Sequence, residues 1–132
     1  MTPSEVMRIP AAVPQDAQKH FAAKLAFETD CADVQEAMTA DQPDFVLLDV
    51  RGPNAYAREH VPGAINLPRA QMSLAVLQDL SGGKAFVVYC AGPHCNGADK
   101  AAEQIARLGF QVKIMIGGVE GWRDEKFSFA SL

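Results

Sequence analysis

The sequence predicts an α/β fold in which a parallel sheet is covered by helices on both faces. Short apolar runs, typical of buried parallel strands, alternate along the chain with segments of helical periodicity. Short connections rich in proline and glycine separate them. Five such strands alternate with six helical segments, and this order is typical of parallel sheets. The chain has 132 residues, enough for one domain with its own core.

The first half of the chain predicts an arm followed by three helix–strand pairs. Residues 1–14 contain three prolines and little periodicity, so we expect a flexible arm and a single domain over residues 15–132. A short helix is predicted over 15–23 and a strand over 24–28. A helix follows over 31–40, capped by Thr29 or Asp30, and then a strand over 45–49. A second helix is predicted over 52–59, with Pro53 in its first turn. A strand over 64–67 ends before Pro68.

The second half predicts three more helices and two strands. Leucines at positions 74, 77 and 80 form a helical stripe over 73–80, and an apolar strand follows over 85–89. The best-marked helix begins near Ala98, where Asn96 is placed to cap it and Gly109 to end it. A last strand is expected over 112–116, and a short helix through about residue 126.

Composition limits the possible partners and the compartment. The net charge is −4 and no basic cluster is present, so nucleic acid and anionic membranes are not expected partners. No apolar run approaches the length of a bilayer span, and residues 1–14 lack the apolar core of a signal peptide. We therefore expect a cytoplasmic protein. Its three cysteines are too few for a disulfide scaffold, and we expect no cofactor.

Cys90 is the candidate catalytic residue. It follows the predicted strand over 85–89 and precedes a glycine-containing loop and the best-marked helix. Ligands of open α/β sheets bind at the carboxyl ends of strands, and a helix N-terminus favours anions. Backbone amides in such a place favour thiolate over thiol, so we expect the pKa of Cys90 to be lowered. Cys31, in contrast, lies in a helical pattern with Val34 and Met38, which predicts a small buried core residue.

The loop after Cys90 is the candidate substrate-binding segment. Glycines at two of its positions allow the backbone to turn N–H groups inward, and proline stiffens it. We expect the anion cradle to consist of Ala91, Gly92, Pro93, His94, Cys95, Asn96 and Gly97.

The chain also carries four short segments in a recognisable order: residues 47–51, 59–68, 87–90, and 109–122 with its paired glycines and Trp122. Together they resemble the rhodanese (sulfurtransferase) family and span about residues 24–127. The resemblance implies a doubly wound, five-stranded parallel sheet and a persulfide formed on Cys90. It further implies that Asp49 and Arg51 tie the fold together near the site without taking part in catalysis.

The loop departs from the usual pattern of that family. Many members have an arginine and a serine or threonine in this loop, whereas here Cys95 and Asn96 stand near those positions and no arginine lies between Cys90 and Arg107. The segment from Cys90 to Gly109 is also about two residues longer than is usual in that family. Thiosulfate therefore lacks its usual charged anchor.

The residues support a two-step reaction with a small-molecule donor. Cys90 takes a sulfane sulfur from thiosulfate or another persulfide or thiol donor and passes it to a thiol, a protein thiol or cyanide. Cys95 is either an internal acceptor and redox partner of Cys90 or a passive loop residue. His94 is either a proton donor or an exposed histidine without a task. We expect His60 to close a turn and Trp122 to pack in the core or at its rim.

Three other functions remain open on the sequence. A cysteine-dependent phosphatase or arsenate reductase would use a similar cradle, but phosphoryl transfer needs an arginine in the loop. A metal site would use Cys90, His94 and Cys95, but the paired cysteine spacing of zinc sites is missing, and we expect no metal. A redox or sulfur sensor would use the Cys90–Cys95 pair without being an enzyme.

Overall fold

The computed structural model describes residues 2–132. Within them it has six α-helices, which are α1 (Pro14–Phe27), α2 (Cys31–Ala37), α3 (Pro53–Arg58), α4 (Leu74–Ser81), α5 (Gly97–Arg107) and α6 (Gly118–Asp124). Its five strands are β1 (Glu28–Thr29), β2 (Phe45–Asp49), β3 (Ile65–Asn66), β4 (Ala85–Tyr89) and β5 (Val112–Met115). The alternating order is the one that the sequence predicts.

All five strands are parallel, in the order β1-β5-β4-β2-β3. The sheet confirms the predicted doubly wound α/β class. Strand β4 is central, and it pairs along its full length with β2 from Phe45–Ala85 to Asp49–Tyr89. On its other side β4 pairs with β5. Cys90 is therefore the first residue beyond the central strand, at the edge of the sheet where parallel strands present their carboxyl ends.

Apolar side chains cover the two faces of the sheet as two clusters. One packs α4 and α5 against the sheet and includes Leu77, Phe86, Val88 and Ile105. The other packs α2 and α6 against the opposite face and includes Val34, Met115, Val119 and Trp122. Alternate residues of β4 enter opposite clusters, as the two-residue period of a strand requires. The predictions that Cys31 and Trp122 are buried are confirmed, with exposed fractions of 5% and 2%.

The N-terminal part corrects two predicted elements. Helix α1 extends to Phe27, so most of the predicted strand over 24–28 is helical and only Glu28–Thr29 pairs with β5. Residues 22–26 include three alanines, a lysine and a leucine, which are strong helix formers. The predicted arm is exposed and lies in turns and extended backbone up to Val13, while Met1 lies outside the described residues.

Smaller differences concern helix ends. Asn96 does not cap α5 with its side chain, because its backbone (φ −90°, ψ 14°) is not in the extended conformation that a cap requires. Helix α2 ends at Ala37, three residues earlier than predicted, and a short 3₁₀ turn at Arg69–Gln71 was not predicted. Gly109 follows α5 with φ +96°, as expected of a helix-ending glycine. Within residues 2–132 there is no helix both long and apolar enough to span a bilayer.

Candidate active site around Cys90

Cys90 lies at the junction of the central strand and the loop that leads to α5. Its side chain is 9% exposed and belongs to the apolar cluster under α4 and α5. Two backbone hydrogen bonds fix the start of the loop to the first turn of α6. The N–H of Val119 donates to the carbonyl of Cys90 at 3.1 Å, and the N–H of Glu120 donates to the carbonyl of Ala91 at 2.9 Å. The start of the loop is therefore held by α6, a helix that follows much later in the chain.

The middle of the loop forms a compact turn. The N–H of Cys95 donates to the carbonyl of Gly92 at 3.0 Å, which closes the segment that contains Pro93 and His94. The carbonyl of Asn96 then accepts the first helical bond of α5 from Lys100 at 3.0 Å. The seven predicted cradle residues thus form one continuous segment after Cys90, with a turn at residues 93–94 and Gly97 as the first residue of α5.

Two glycines permit this close packing. A Cβ on Gly97 would lie 2.8 Å from Cys90 Sγ and 3.3 Å from Cys95 Sγ, so no larger residue fits without moving the thiols. Gly118 has φ +57°, and a Cβ there would lie 2.9 Å from the nitrogen of Gly92 and overlap the carbonyl of Cys90. Sequence reasoning assigned Gly97 to the loop but gave Gly118 no role at the site. The signal for Gly118 was its place in the paired glycines after the last strand.

The two thiols of the loop are in direct contact. Cys90 Sγ and Cys95 Sγ are 2.8 Å apart, and Cys95 Sγ also accepts a hydrogen bond from the N–H of Gly97 at 3.4 Å. Cys95 is half-buried, whereas Cys90 is buried. The structure thus brings together the two cysteines that the sequence separates by five positions.

The electrostatics of this pair differ from the expectation. Burial raises the pKa of the Cys90 thiol to about 11, and its hydrogen bond to Cys95 acts in the same direction. The hydrogen bonds from Cys90 and from the Gly97 N–H lower the pKa of Cys95. The expected lowering at Cys90 is therefore wrong for the resting site, because burial outweighs the loop amide of Ala91. Cys95 is therefore the more acidic of the two thiols.

A cleft of about 490 Å³ opens beside the two thiols. Cys90 and Cys95 both line it, and residues 114–118 form another wall. Its charged lining comes from Lys24, Glu28 and Asp99, and Lys24 forms an ion pair of 3.2 Å with Glu28. The charged lining of the cleft therefore has one more negative side chain than positive ones. Sequence reasoning did not find Lys24 or Glu28, because the segment that contains them is distant in the chain and was predicted as a strand.

His94 lies outside hydrogen-bond contact with the thiol pair and points to α6 instead. Its Nδ1 is 3.6 Å from Oε2 of Glu120, and both side chains are more than half exposed. The Glu120 carboxyl group also lies against Gly92. His60 is buried and its Nδ1 lies 2.7 Å from the carbonyl of Tyr56, so the prediction that it closes a turn is confirmed.

Asp49 and Arg51 lie at the end of β2, next to the strand that carries Cys90. Arg51 donates to both carboxyl oxygens of Asp49, with the shortest contact at 2.8 Å, and to the carbonyl of Glu59 at 2.5 Å. Tyr89, the residue before Cys90, donates to Asp49 at 2.8 Å. Asp49 has no exposed surface, so this network braces the strand ends beneath the site.

The described residues contain no group of three or more His, Cys, Asp or Glu side chains arranged to hold a metal ion. The alternative of a metal bound by Cys90, His94 and Cys95 therefore lacks a ligand set in this structure.

Comparison with known proteins places this geometry in a family context. The sequence model of the Rhodanese-like domain matches residues 30–125. A thiosulfate sulfurtransferase, GlpE of Coxiella burnetii, is 34% identical over 85 residues, which cover 61% of this chain and 73% of that protein. The HTH-type transcriptional regulator Rv0324 of Mycobacterium tuberculosis is 36% identical over 80 residues. That match covers 61% of this chain, which spans only 35% of the regulator.

Solved structures agree with this assignment. The BH2092 protein of Bacillus halodurans superposes with a TM-score of 0.85 at 40% identity, covering 89% of this chain and 86% of that one. A thiosulfate sulfurtransferase of Pseudomonas aeruginosa superposes with a TM-score of 0.69 at 22% identity, over 83% of this chain and 21% of that one. The second likeness concerns the fold alone.

Proposed function

Because the chain belongs to the Rhodanese-like domain family, we propose that it is a sulfurtransferase that carries sulfane sulfur as a persulfide on Cys90. One observation carries the proposal: a buried thiol at the carboxyl end of the central strand lines a cleft together with residues of the loop that follows it. A thiol in this place can reach a small donor while its intermediate is kept from bulk water.

The first step is attack of the Cys90 thiolate on the outer sulfur of the donor. The bond between that sulfur and the rest of the donor breaks, which is a sulfur–sulfur bond in thiosulfate or a persulfide and a carbon–sulfur bond in 3-mercaptopyruvate. The rest of the donor leaves with the bonding electrons, as sulfite when thiosulfate is the donor. Cys95 Sγ lies 2.8 Å from Cys90 Sγ, so we propose that the Cys90 proton first passes to Cys95, which acts as the general base.

In the second step an acceptor takes the outer sulfur of the persulfide. A thiolate or cyanide attacks that sulfur, and Cys90 leaves as a thiolate. The N–H of Ala91 lies close enough to Cys90 to lower its pKa, which stabilises negative charge in both steps. Small thiols and protein thiols are the acceptor classes that we propose, and the cytoplasmic location stays a prediction from sequence.

The charges around the cleft favour a donor other than thiosulfate. Glu28 and Asp99 line the cleft, Glu120 lies at the loop, and Lys24 is paired with Glu28. A dianion meets more negative than positive charge there. We therefore propose a low-molecular-weight persulfide or another donor of low charge as the preferred donor.

The experiment compares donors on the purified chain. Thiosulfate, 3-mercaptopyruvate and glutathione persulfide are each supplied with cyanide, and thiocyanate is measured together with the intact mass of the protein. We expect thiocyanate from at least one donor and none above background from Cys90→Ser. No thiocyanate and no sulfur gained from any donor would overturn the proposal. Hydrolysis of p-nitrophenyl phosphate that depends on Cys90 would favour the phosphatase alternative.

A further inference from the structure

We propose that Cys95 resolves the Cys90 persulfide, so that the site releases sulfide and closes into a Cys90–Cys95 disulfide. The inference rests on the proposed function, since it needs a persulfide on Cys90. It adds a second product route to sulfur transfer, and a second catalytic cysteine. The observation behind it is the 2.8 Å contact of the two sulfur atoms within one loop.

The contact places the attacking and attacked atoms side by side. A disulfide bond is about 2.05 Å long, so the two sulfurs need to approach by less than about 1 Å. Gly97 leaves room for this contact, because a Cβ there would press on both sulfurs. The loop is already closed by the bond from Cys95 N–H to the carbonyl of Gly92. Little chain movement is therefore required, and the reaction is intramolecular.

The charge distribution favours Cys95 as the attacking thiol. The N–H of Gly97 donates to Cys95 Sγ whether or not Cys90 carries sulfur, and Lys100 lies near enough to add positive charge. Those interactions stabilise a thiolate on Cys95. A thiolate beside a sulfur–sulfur bond is the reactant that thiol–disulfide exchange requires.

The proton that Cys95 took from Cys90 during loading first passes to solvent. Cys95–S⁻ then attacks Sγ of Cys90–S–SH, the Sγ–Sγ bond forms, and the bond between Cys90 Sγ and the outer sulfur breaks. The outer sulfur leaves as HS⁻ with the electron pair of the broken bond. Sulfane sulfur is thereby reduced to sulfide while the two cysteines are oxidised to a disulfide. A dithiol reductant, a protein or a small molecule, then restores both thiols and completes the cycle.

Attack on the inner sulfur distinguishes this route from simple sulfur relay. The atom that Cys95 touches is the Cys90 Sγ itself, which becomes the inner sulfur of the persulfide. Attack on the outer sulfur would instead move the persulfide to Cys95 and release no sulfide. The geometry therefore points to disulfide formation.

The test is a single turnover without oxygen or added reductant. Wild type, Cys95→Ser, Cys95→Ala, Cys90→Ser and Cys31→Ala each receive one equivalent of glutathione persulfide, thiosulfate or 3-mercaptopyruvate. Released sulfide is trapped with monobromobimane, and free thiols are blocked before digestion. Cleavage after Lys84 and Lys100 yields a peptide of residues 85–100, which contains Cys90 and Cys95 but not Cys31.

We expect the wild-type peptide to lose two hydrogen atoms while close to one equivalent of sulfide appears. Cys31→Ala should behave in the same way, since Cys31 lies in the opposite cluster. In both Cys95 variants the peptide should keep one extra sulfur, and sulfide release should slow by at least about tenfold. The donor-free wild type should keep both thiols.

Each contrary result overturns the inference in a recognisable way. A wild-type peptide that keeps the extra sulfur on either cysteine, or a Cys95→Ser protein that releases sulfide at the wild-type rate, overturns it and leaves the sulfurtransferase proposal standing. A disulfide that forms equally without donor also overturns it. If no variant gains sulfur or releases sulfide with any donor, both proposals fail together.

Discussion

The hydroxyl group of Tyr89 donates a hydrogen bond of 2.8 Å to the carboxyl group of Asp49, its partner in register on the neighbouring strand. The same hydroxyl accepts the backbone N–H of Val61 at 3.0 Å. Tyr89 and Asp49 have no exposed surface, so water does not replace either bond when one is lost. Through this bond the Asp49–Arg51 pair is connected to Tyr89, the residue directly before Cys90.

Tyr89→Phe should therefore reduce the free energy of unfolding. It removes one donor to a buried carboxylate and leaves the Val61 N–H without its acceptor, which costs about 1–3 kcal/mol. Urea denaturation followed by circular dichroism gives the value. Tyr56→Phe is a matched control, because its hydroxyl makes a single bond to the carbonyl of Ala64 and the residue is only half-buried. Equal losses in both variants would contradict the special role of Tyr89.

Gly97→Ala should disturb the thiol pair more than it disturbs the fold. The new methyl group meets Cys90 Sγ at 2.8 Å and Cys95 Sγ at 3.3 Å, so the sulfurs must separate. We expect sulfur loading of Cys90 to slow by about tenfold or more. Gly52→Ala is the control, since a Cβ at Gly52 meets nothing within 4 Å. Unchanged loading in Gly97→Ala would show that the close contact has no catalytic value.

The reactivity of Cys90 should depend on pH and on Cys95. Because its pKa is raised to about 11, the thiolate fraction of Cys90 should increase about tenfold for each pH unit below that value. Cys95 contributes to the raised pKa of Cys90 through its hydrogen bond and, when ionised, through its negative charge. Cys95→Ser should therefore move the alkylation profile of Cys90 to lower pH, although burial keeps its pKa above that of a free thiol.

Iodoacetamide labelling between pH 7 and pH 10, resolved by mass spectrometry of peptide 85–100, provides the measurement. Labelling of Cys31 in the same samples gives an internal reference, as its environment does not include the loop. A profile that moves to higher pH in Cys95→Ser would contradict the contribution of Cys95 to the raised pKa of Cys90.

Cys31 should make the fold less stable at alkaline pH. Burial, with smaller contributions from Asp30 and Glu125, raises the pKa of Cys31 to about 11. In the unfolded chain the thiol ionises at about pH 8.5. Between these values the unfolded state releases a proton that the folded state keeps, so stability decreases as pH rises.

Urea titrations of wild type and Cys31→Ala at pH 8 and pH 10.5 isolate this contribution. The loss between the two pH values should be smaller in the variant, because the other titrating groups are common to both proteins. An equal loss in both would mean that Cys31 ionises in the folded state as readily as in the unfolded chain.

The sequence predicted the strands β2 and β4 to the residue, because each is a continuous apolar run that is covered on both faces. It predicted the first strand over 24–28, whereas β1 is the two-residue edge strand Glu28–Thr29, whose pairing with β5 depends on tertiary contact rather than on local pattern. The position of Cys90 followed from its strand. The contact with Cys95 and the proton distribution between the thiols did not, since both arise from turn geometry and burial.

The anchoring of the loop divides it into parts of different tolerance. The carbonyl groups of Cys90 and Ala91 are bound to α6, and the last loop residue, Gly97, begins α5 beside the thiols. The segment from Pro93 to Asn96 spans these two anchors and carries the side chains that differ from the usual pattern. We therefore expect substitutions within this segment to change the lining of the cleft while the anchors on either side of it stay in place.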